Sequence, residues 1–274
     1  MKFLRRNEES KRSINSNTFL LFITIGLFAA MYIAGMIIFE DKGFAKPQMF
    51  LNLFISNAGL LVIAVGQTIV MITGGIDISV GGVVALVSMC CAVYLDYHGG
   101  NVFGAIVISL LIGLGFGLVQ GYLVAYLDIQ PFIVSLAGMF FARGMTTIVN
   151  TNPFNVANEQ FVALKETRIK IPGMGSVNKL GNYVDAYIEI GVVVALLVVI
   201  LLFCVLRWTK FGRKFYAVGG NSQSALMLGI NVKRTKFYSH LICSLLAGVG
   251  GFVYFMHVGS GSASHASGME MNAI

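Results

Sequence analysis

The chain has 274 residues and a formal net charge of +7; 57% of it is hydrophobic and only 11% is charged. Soluble domains carry about 25% charged residues, so this composition excludes a water-soluble globular protein. The surplus of cations reads as membrane topology rather than as a nucleic-acid surface.

Seven apolar runs set the predicted architecture, at 18–39, 50–72, 78–95, 102–127, 131–149, 185–206 and 237–258. A helix needs about 20 apolar residues to cross about 30 Å of hydrocarbon. The runs therefore predict an all-α polytopic membrane protein, a bundle of about seven transmembrane helices. Ahead of them lies a basic tail, 1–17, with Lys2, Arg5, Arg6, Lys11 and Arg12 against Glu8 and Glu9. The first run is longer than the apolar core of a secretory signal, and no small-residue cleavage site precedes Glu40 and Asp41, so it reads as a permanent helix.

Between the second and third runs stands ITGGIDISVGG, residues 72–82. Gly74 and Gly75 break the preceding helix, and Asp77 or Ser79 is placed to cap the next one near Val80, where a carboxylate also meets the positive end of the helix dipole. Broken backbone at membrane depth is tolerated only where it is buried in protein or faces water. Polar side chains within or between the runs include Asn57, Gln67, Asp77, Gln120 and Arg143. Such groups are costly in a membrane and face a cavity or a partner, which makes Asn57, Gln67, Gly74, Gly75, Asp77, Ser79 and Arg143 the candidate translocation pathway. Arg143 falls in the outer half of its run and Asp77 near an inner end, so a direct ion pair between them requires a re-entrant segment at Asp77. The in-run glycines Gly113, Gly115, Gly117, Gly248, Gly250 and Gly251 read as devices for close helix packing.

Residues 150–184 are polar, hold Pro153 and Pro172, and form a loop suited either to docking or to a purely structural role. Segment 207–236 carries Arg207, Lys210, Arg213, Lys214, Lys233, Arg234 and Lys236 and no acid. By the positive-inside rule it and the basic tail face the cytoplasm; six runs separate them, an even number. The N-terminus is then cytoplasmic and 150–184 lies outside, despite Lys165, Arg168, Lys170 and Lys179. Within 207–236, Asn221 or Ser222 can cap a short helix that runs to about Leu228 and stops at Gly229. Its Leu226, Met227 and Leu228 suit an anionic lipid surface or a protein partner.

Catalysis is not indicated. No nucleophile has a neighbouring base, and neither HExxH nor GxxxxGK[ST] occurs. Ser260, Ser262 and Ser264 lie near His257 and His265, with Glu270 the only acid at hand. Cys90, Cys91, Cys204 and Cys243 lack metal-ligand spacing. No metal or cofactor is expected, and any ATP-binding site belongs to another chain.

Three blocks carry a family resemblance: GQTIVMITGGIDISVGG (66–82), PFIVSLAGMFFARG (131–144) and TKFGRKFYAVGGNSQSALMLGINVKRTK (209–236). They resemble the membrane-spanning permeases of bacterial ABC importers for simple sugars, of the ribose and galactofuranose type. SLAGMFFARG with KIPGMG (170–175) is most similar to the galactofuranose branch. The resemblance implies a single permease domain from residue 18 onward in the cytoplasmic (inner) membrane. It also implies three partners: a second permease subunit, identical or related, an ATP-binding cassette ATPase on the cytoplasmic side, and an extracytoplasmic sugar-binding protein. It makes the short helix and its cap, Asn221, Ser222, Gln223, Ser224, Ala225, Leu226, Met227, Leu228 and Gly229, the ATPase coupling helix. Only part of the family's Glu-Ala-Ala-then-Gly pattern is kept, as Gln223-Ser224-Ala225 and Gly229. The relatives have about ten helices, which makes this chain a C-terminally truncated permease, not expected to transport alone. Gly75-Ile-Asp-Ile-Ser and Gly268-Met-Glu-Met-Asn share an order of residue types that suggests internal duplication. Two alternatives differ in class: an ion-gradient-driven transporter or channel, which favours more intramembrane carboxylates than Asp77 alone, and a noncatalytic membrane scaffold.

Overall fold

The structure, a computed structural model, describes residues 16–40, 43–177 and 182–274. Lys2, Arg5, Arg6, Lys11 and Arg12 of the basic tail, and Lys179, lie outside the described residues. The order of elements is α1 (Ser16–Ile38), α2 (Pro47–Ile72), α3 (Val80–Asp96), α4 (Val102–Ala125), α5 (Pro131–Val149), β1 (Phe154–Asn155), α6 (Glu159–Glu166), β2 (Arg168–Val177), β3 (Tyr183–Glu189), α7 (Ile190–Trp208), α8 (Lys210–Gly220), α9 (Ser222–Met227), α10 (Val232–Val258), β4 (Ser260–Gly261) and α11 (Met269–Ala273).

All seven apolar runs form helices, and the chain is an all-α polytopic membrane protein. Among the described residues six helices are long and apolar enough to cross a membrane: α1, α2, α4, α5, α7 and α10. The seventh, α3, has 17 residues, about 25 Å at 1.5 Å per residue. It is short because it starts inside the bundle, and it forms the centre: Val80, Val83, Val84, Val87, Cys91, Ala92 and Leu95 are all buried. Around it pack α10, α5 and α4, while α2 packs against α10 and α7. Glycine sets the closest of these approaches. A Cβ on Gly113 of α4 would lie 2.6 Å from the Ser244 carbonyl oxygen of α10, and one on Gly248 would lie 2.5 Å from that of Ser109. Gly115, by contrast, faces open space and takes no part in this packing. Helix α1 stands at the periphery with its apolar side chains exposed, touching the bundle through Tyr32, whose ring meets those of Phe44 and Phe50.

One end of the bundle carries the short strands. β1 pairs antiparallel with β4, and β2 with β3 around a bulge between Ile171 and Gly175. Gln48 at the start of α2 clamps β3, accepting from Tyr187 N at 2.8 Å and donating to Tyr187 O at 3.2 Å. The sixth predicted span, 185–206, needs correction here: 185–189 belong to β3, paired residue by residue with β2, and the helix starts only at Ile190.

The opposite end holds α8 and α9. Segment 207–236 is far more helical than its charges suggest, because α10 already begins at Val232, capped by Asn231 Oδ1 accepting from Arg234 N at 2.9 Å. Helix α8 is new to the sequence reading. Thr209 Oγ1 caps it at Gly212 N (3.0 Å), and Phe211, Phe215 and Val218 form an i, i+4, i+7 apolar stripe that the surrounding cations mask.

Candidate functional site

The break between α2 and α3 gathers the polar groups of the bundle. Helix α2 stops at Thr73, and Gly74 follows at φ +82° with nothing within 4 Å of where a Cβ would stand. Only that left-handed backbone, not space, calls for glycine there. Gly75 N then bonds back to Val70 O at 3.0 Å, and the chain reaches Asp77 without helical or strand structure.

Asp77 is wholly buried. Gln67, also wholly buried, holds its backbone in both directions: the Gln67 amide nitrogen donates to Asp77 O and its oxygen accepts from Asp77 N, both at 3.1 Å. A side-chain amide is the group that can replace a missing strand or helix partner, since it offers a donor and an acceptor together. The Asp77 carboxylate turns forward. Its Oδ1 accepts from Ser79 N at 2.9 Å and Ser79 Oγ at 2.6 Å, while Oδ2 has no partner. Asp77 thus ties down the turn that launches α3. Ser79, at the N-cap position, makes no side-chain capping bond; its hydroxyl proton goes to Asp77 and its oxygen accepts from Gln120 Nε2 of α4 at 2.8 Å.

The depth of the break follows from its neighbours. Ser79 meets Gln120, five residues before α4 ends, or about 7.5 Å along the axis. Ile76 O accepts from Ser135 Oγ at 3.5 Å, and Ser135 is four residues into α5, about 6 Å. The non-helical segment therefore lies more than a helical turn inside the ends of α4 and α5. From α10, Ser239 and His240 complete the cluster: Thr73 Oγ1 donates to Ser239 Oγ at 3.2 Å, Ser239 Oγ lies 3.3 Å from His240 Nδ1, and His240 Nε2 is buried without a partner.

Of the predicted pathway residues, Gln67, Gly74, Gly75, Asp77 and Ser79 come together. Asn57 does not. It is exposed on α2 and bonds its own backbone at Leu53 O, 2.8 Å, 15 residues or about 22 Å from the end of that helix. Arg143 does not pair with Asp77 either; it is eight residues, about 12 Å, along α5 from Ser135. Its guanidinium serves a second non-helical stretch, 259–268, donating to Ala263 O (3.3 Å), His265 O (2.6 Å) and Ala266 O (3.1 Å). That stretch runs back along α3, from Gly261 beside Ala92 to Ala266 and the Glu270 carboxylate beside Gly81. At the level of sequence, Gln120 is named as a polar residue but left out of the pathway, and His240 is not singled out. The polar spacing of Ser239, His240, Cys243 and Ser244 on one apolar helix was the signal for this cluster.

At the α8–α9 end, Asn221 Oδ1 accepts from Ser224 N at 2.9 Å and caps α9. Gly229, at φ +77°, ends the turn, with Ile230 N bonded back to Ala225 O at 3.0 Å. Ala225 is buried, whereas Leu226, Met227 and Leu228 are 64, 89 and 78% exposed. Three neighbouring apolar side chains are thus held out together on a capped turn.

Residues 49–274 match the family described as the branched-chain amino acid transport system / permease component. The inner membrane ABC transporter permease protein YjfF of Escherichia coli (strain K12) is 34% identical over 254 residues, 93% of this chain and 73% of its own length. The fructose import permease protein FruG of Bifidobacterium longum (strain NCC 2705) is 34% identical over 90% of this chain and 71% of its own. The ribose import permease protein RbsC of Escherichia coli (strain K12) is 28% identical over 90% and 74%. No solved structure matches. The chain belongs to this family of ABC-transporter permeases.

Proposed function

We propose that this family member is the membrane-spanning subunit of an ATP-driven importer for a simple sugar. The alignment at 34% identity across 93% of the chain carries the reading. The family description names branched-chain amino acids, but the relatives named for a solute are named for fructose, ribose and, in one case, autoinducer 2, and the two sugars favour a sugar here. In this reading the α8–α9 end is cytoplasmic, as its cations require, and the β2–β3 end is outside the inner membrane, where an extracytoplasmic sugar-binding protein delivers the solute. A second permease subunit closes the pathway against this one. Helix α9 is the coupling helix: Leu226, Met227 and Leu228 seat in an ATPase subunit, and the closing of that subunit on ATP moves α9 as a rigid lever on α8 and α10.

Two experiments test this. The full-length protein purified from native membranes should bring down an ATP-binding cassette ATPase; recovery without one in mild detergent counts against the reading. Gly229→Val forces a β-branched residue into left-handed backbone. It should leave membrane insertion intact and abolish sugar-stimulated ATP hydrolysis, whereas wild-type stimulation in the assembled variant would remove the coupling role from α9.

A further inference from the structure

Helix α7 turns an apolar stripe to the outside of the bundle: Leu197, Ile200, Leu201 and Phe203 are all exposed. Its 19 residues rise about 28 Å, close to the ~30 Å of hydrocarbon in a bilayer, so its last turn stands at the level of the lipid headgroups. There the stripe ends in Arg207 and Trp208, which follow Ile200 and Leu201 at i+7 and share their face. Trp208 is 69% exposed, and its ring meets that of Phe203 edge-on, 6.1 Å between centroids. An indole at this level is the usual anchor at a membrane–water boundary.

Helix α8 then lies across the foot of the bundle. A Cβ on Gly212 would overlap the Leu206 carbonyl oxygen of α7, and one on Gly219 would overlap that of Ile72 in α2, so α8 is pressed against the ends of both helices. Phe215 and Val218 fill its inner side. Lys210, Arg213 and Lys214 are exposed and, at i, i+3 and i+4, share one side of the helix. Residues 207–236 hold no acid, and among the described residues none of these three cations, nor Arg207, is in an ion pair or a side-chain hydrogen bond. The helix itself gains nothing from them: Lys210 and Arg213 stand in its first turn, where positive charge opposes the dipole and no acid offsets it. Topology asks for cations somewhere on this side of the membrane, but not for four of them at the foot of an exposed apolar stripe.

Four cations immediately beyond a spanning helix complement phosphate-bearing headgroups. We propose that the foot of α7 and the exposed side of α8 form a binding surface for anionic phospholipid of the inner leaflet. Acyl chains lie along Leu197, Ile200 and Leu201, and the headgroup phosphate sits among Arg207, Lys210, Arg213 and Lys214. A zwitterionic lipid covers the stripe equally well but brings no net charge to the cations. Only Asn221 separates α8 from α9, so the lipid steadies the base from which the coupling turn projects. The proposal rests on the cytoplasmic placement of this end and adds a partner to it.

Trp208, the only tryptophan of the 274 residues, serves as the probe. The full-length protein assembled with its partner subunits is placed in phosphatidylcholine nanodiscs, and either brominated phosphatidylglycerol or brominated phosphatidylcholine is titrated in; bromine quenches indole fluorescence on contact. The Trp208 signal is the part lost in Trp208→Phe. Brominated phosphatidylglycerol should quench it at a roughly fivefold lower mole fraction than brominated phosphatidylcholine. Lys210→Gln, Arg213→Gln and Lys214→Gln together should bring the two lipids to near equality, while quenching by the phosphatidylcholine persists and reports a folded, lipid-facing α7. Lys233→Gln with Arg234→Gln, which removes exposed cations of α10 at the same end of the bundle, should leave the preference intact. Equal quenching by the two lipids in the wild type overturns the proposal, and so does quenching by neither, because a protein partner then covers Trp208. A triple variant that keeps the preference, or an α10 pair that loses it equally, overturns the assignment to α8. The wild-type comparison decides by itself if a variant fails to assemble. Neither ATP nor sugar enters the assay, so absent sugar uptake would count against the proposed function and leave the lipid result standing.

Discussion

Two stretches of this protein lie inside the bundle without helical hydrogen bonding, 73–79 before α3 and 259–268 before α11, and they are held by opposite chemistry. At the first, a single residue, Asp77, has both an N–H and a C=O to satisfy, and the neutral amide of Gln67 supplies one acceptor and one donor. At the second, three carbonyls point the same way, and Arg143, a group with donors only, takes all three. The side chain thus follows the bookkeeping of the backbone it serves. In water neither solution would be needed; in hydrocarbon each unmet group costs free energy that no solvent returns. Charge at membrane depth is therefore no direct sign of a pathway: Arg143 holds backbone.

Variants that invert these assignments should fall in order. Arg143→Leu strands three carbonyls and should be the most damaging, at about 3 kcal/mol or more, read as loss of the monodisperse peak in detergent; Arg143→Lys, lacking the planar fork, should recover only part of it. Gln67→Leu leaves two backbone groups unmet and should cost about 2–4 kcal/mol, seen as a lowered apparent melting midpoint, with Gln67→Glu milder because the acceptor survives. Gly74→Ala meets no neighbour, so its cost is confined to the left-handed backbone, about 1–2 kcal/mol. Asp77→Asn keeps an oxygen for Ser79 N and should change the midpoint least, by under about 1 kcal/mol. If its transport is nevertheless abolished with folding intact, Asp77 has a pathway or charge role beyond the turn. A reversed order, with Asp77→Asn worse than Arg143→Leu, would show that the two stretches are not held as described.

The helices were legible in the sequence because length and hydropathy alone define them, and the α9 cap was legible because Asn221 and Gly229 are local signals. The break at Gly74-Gly75 was legible for the same reason. Its depth was not, since that is set by Gln120 and Ser135, 41 and 59 residues away in the contacts they make. Arg143 and Asn57 show the converse limit: a polar residue in an apolar run announces a constraint, but whether it is met by the residue's own helix, as at Asn57, or by a distant loop, as at Arg143, is decided by packing. Strand β3 was hidden in an apolar run because alternation and helical periodicity overlap over five residues, and α8 was hidden by its cations.

The central claim is that ATP, through α9, drives solute through this permease. The direct measurement is uptake of labelled D-ribose and D-fructose into proteoliposomes carrying the full-length protein with its ATPase and second permease, oriented with the α9 face inward, ATP trapped in the lumen and the binding protein supplied outside. Transport of at least one sugar that requires ATP hydrolysis and persists when ionophores collapse all ion gradients is the predicted result. Transport that proceeds without ATP and stops when the gradient is collapsed would contradict the account and identify a secondary transporter instead.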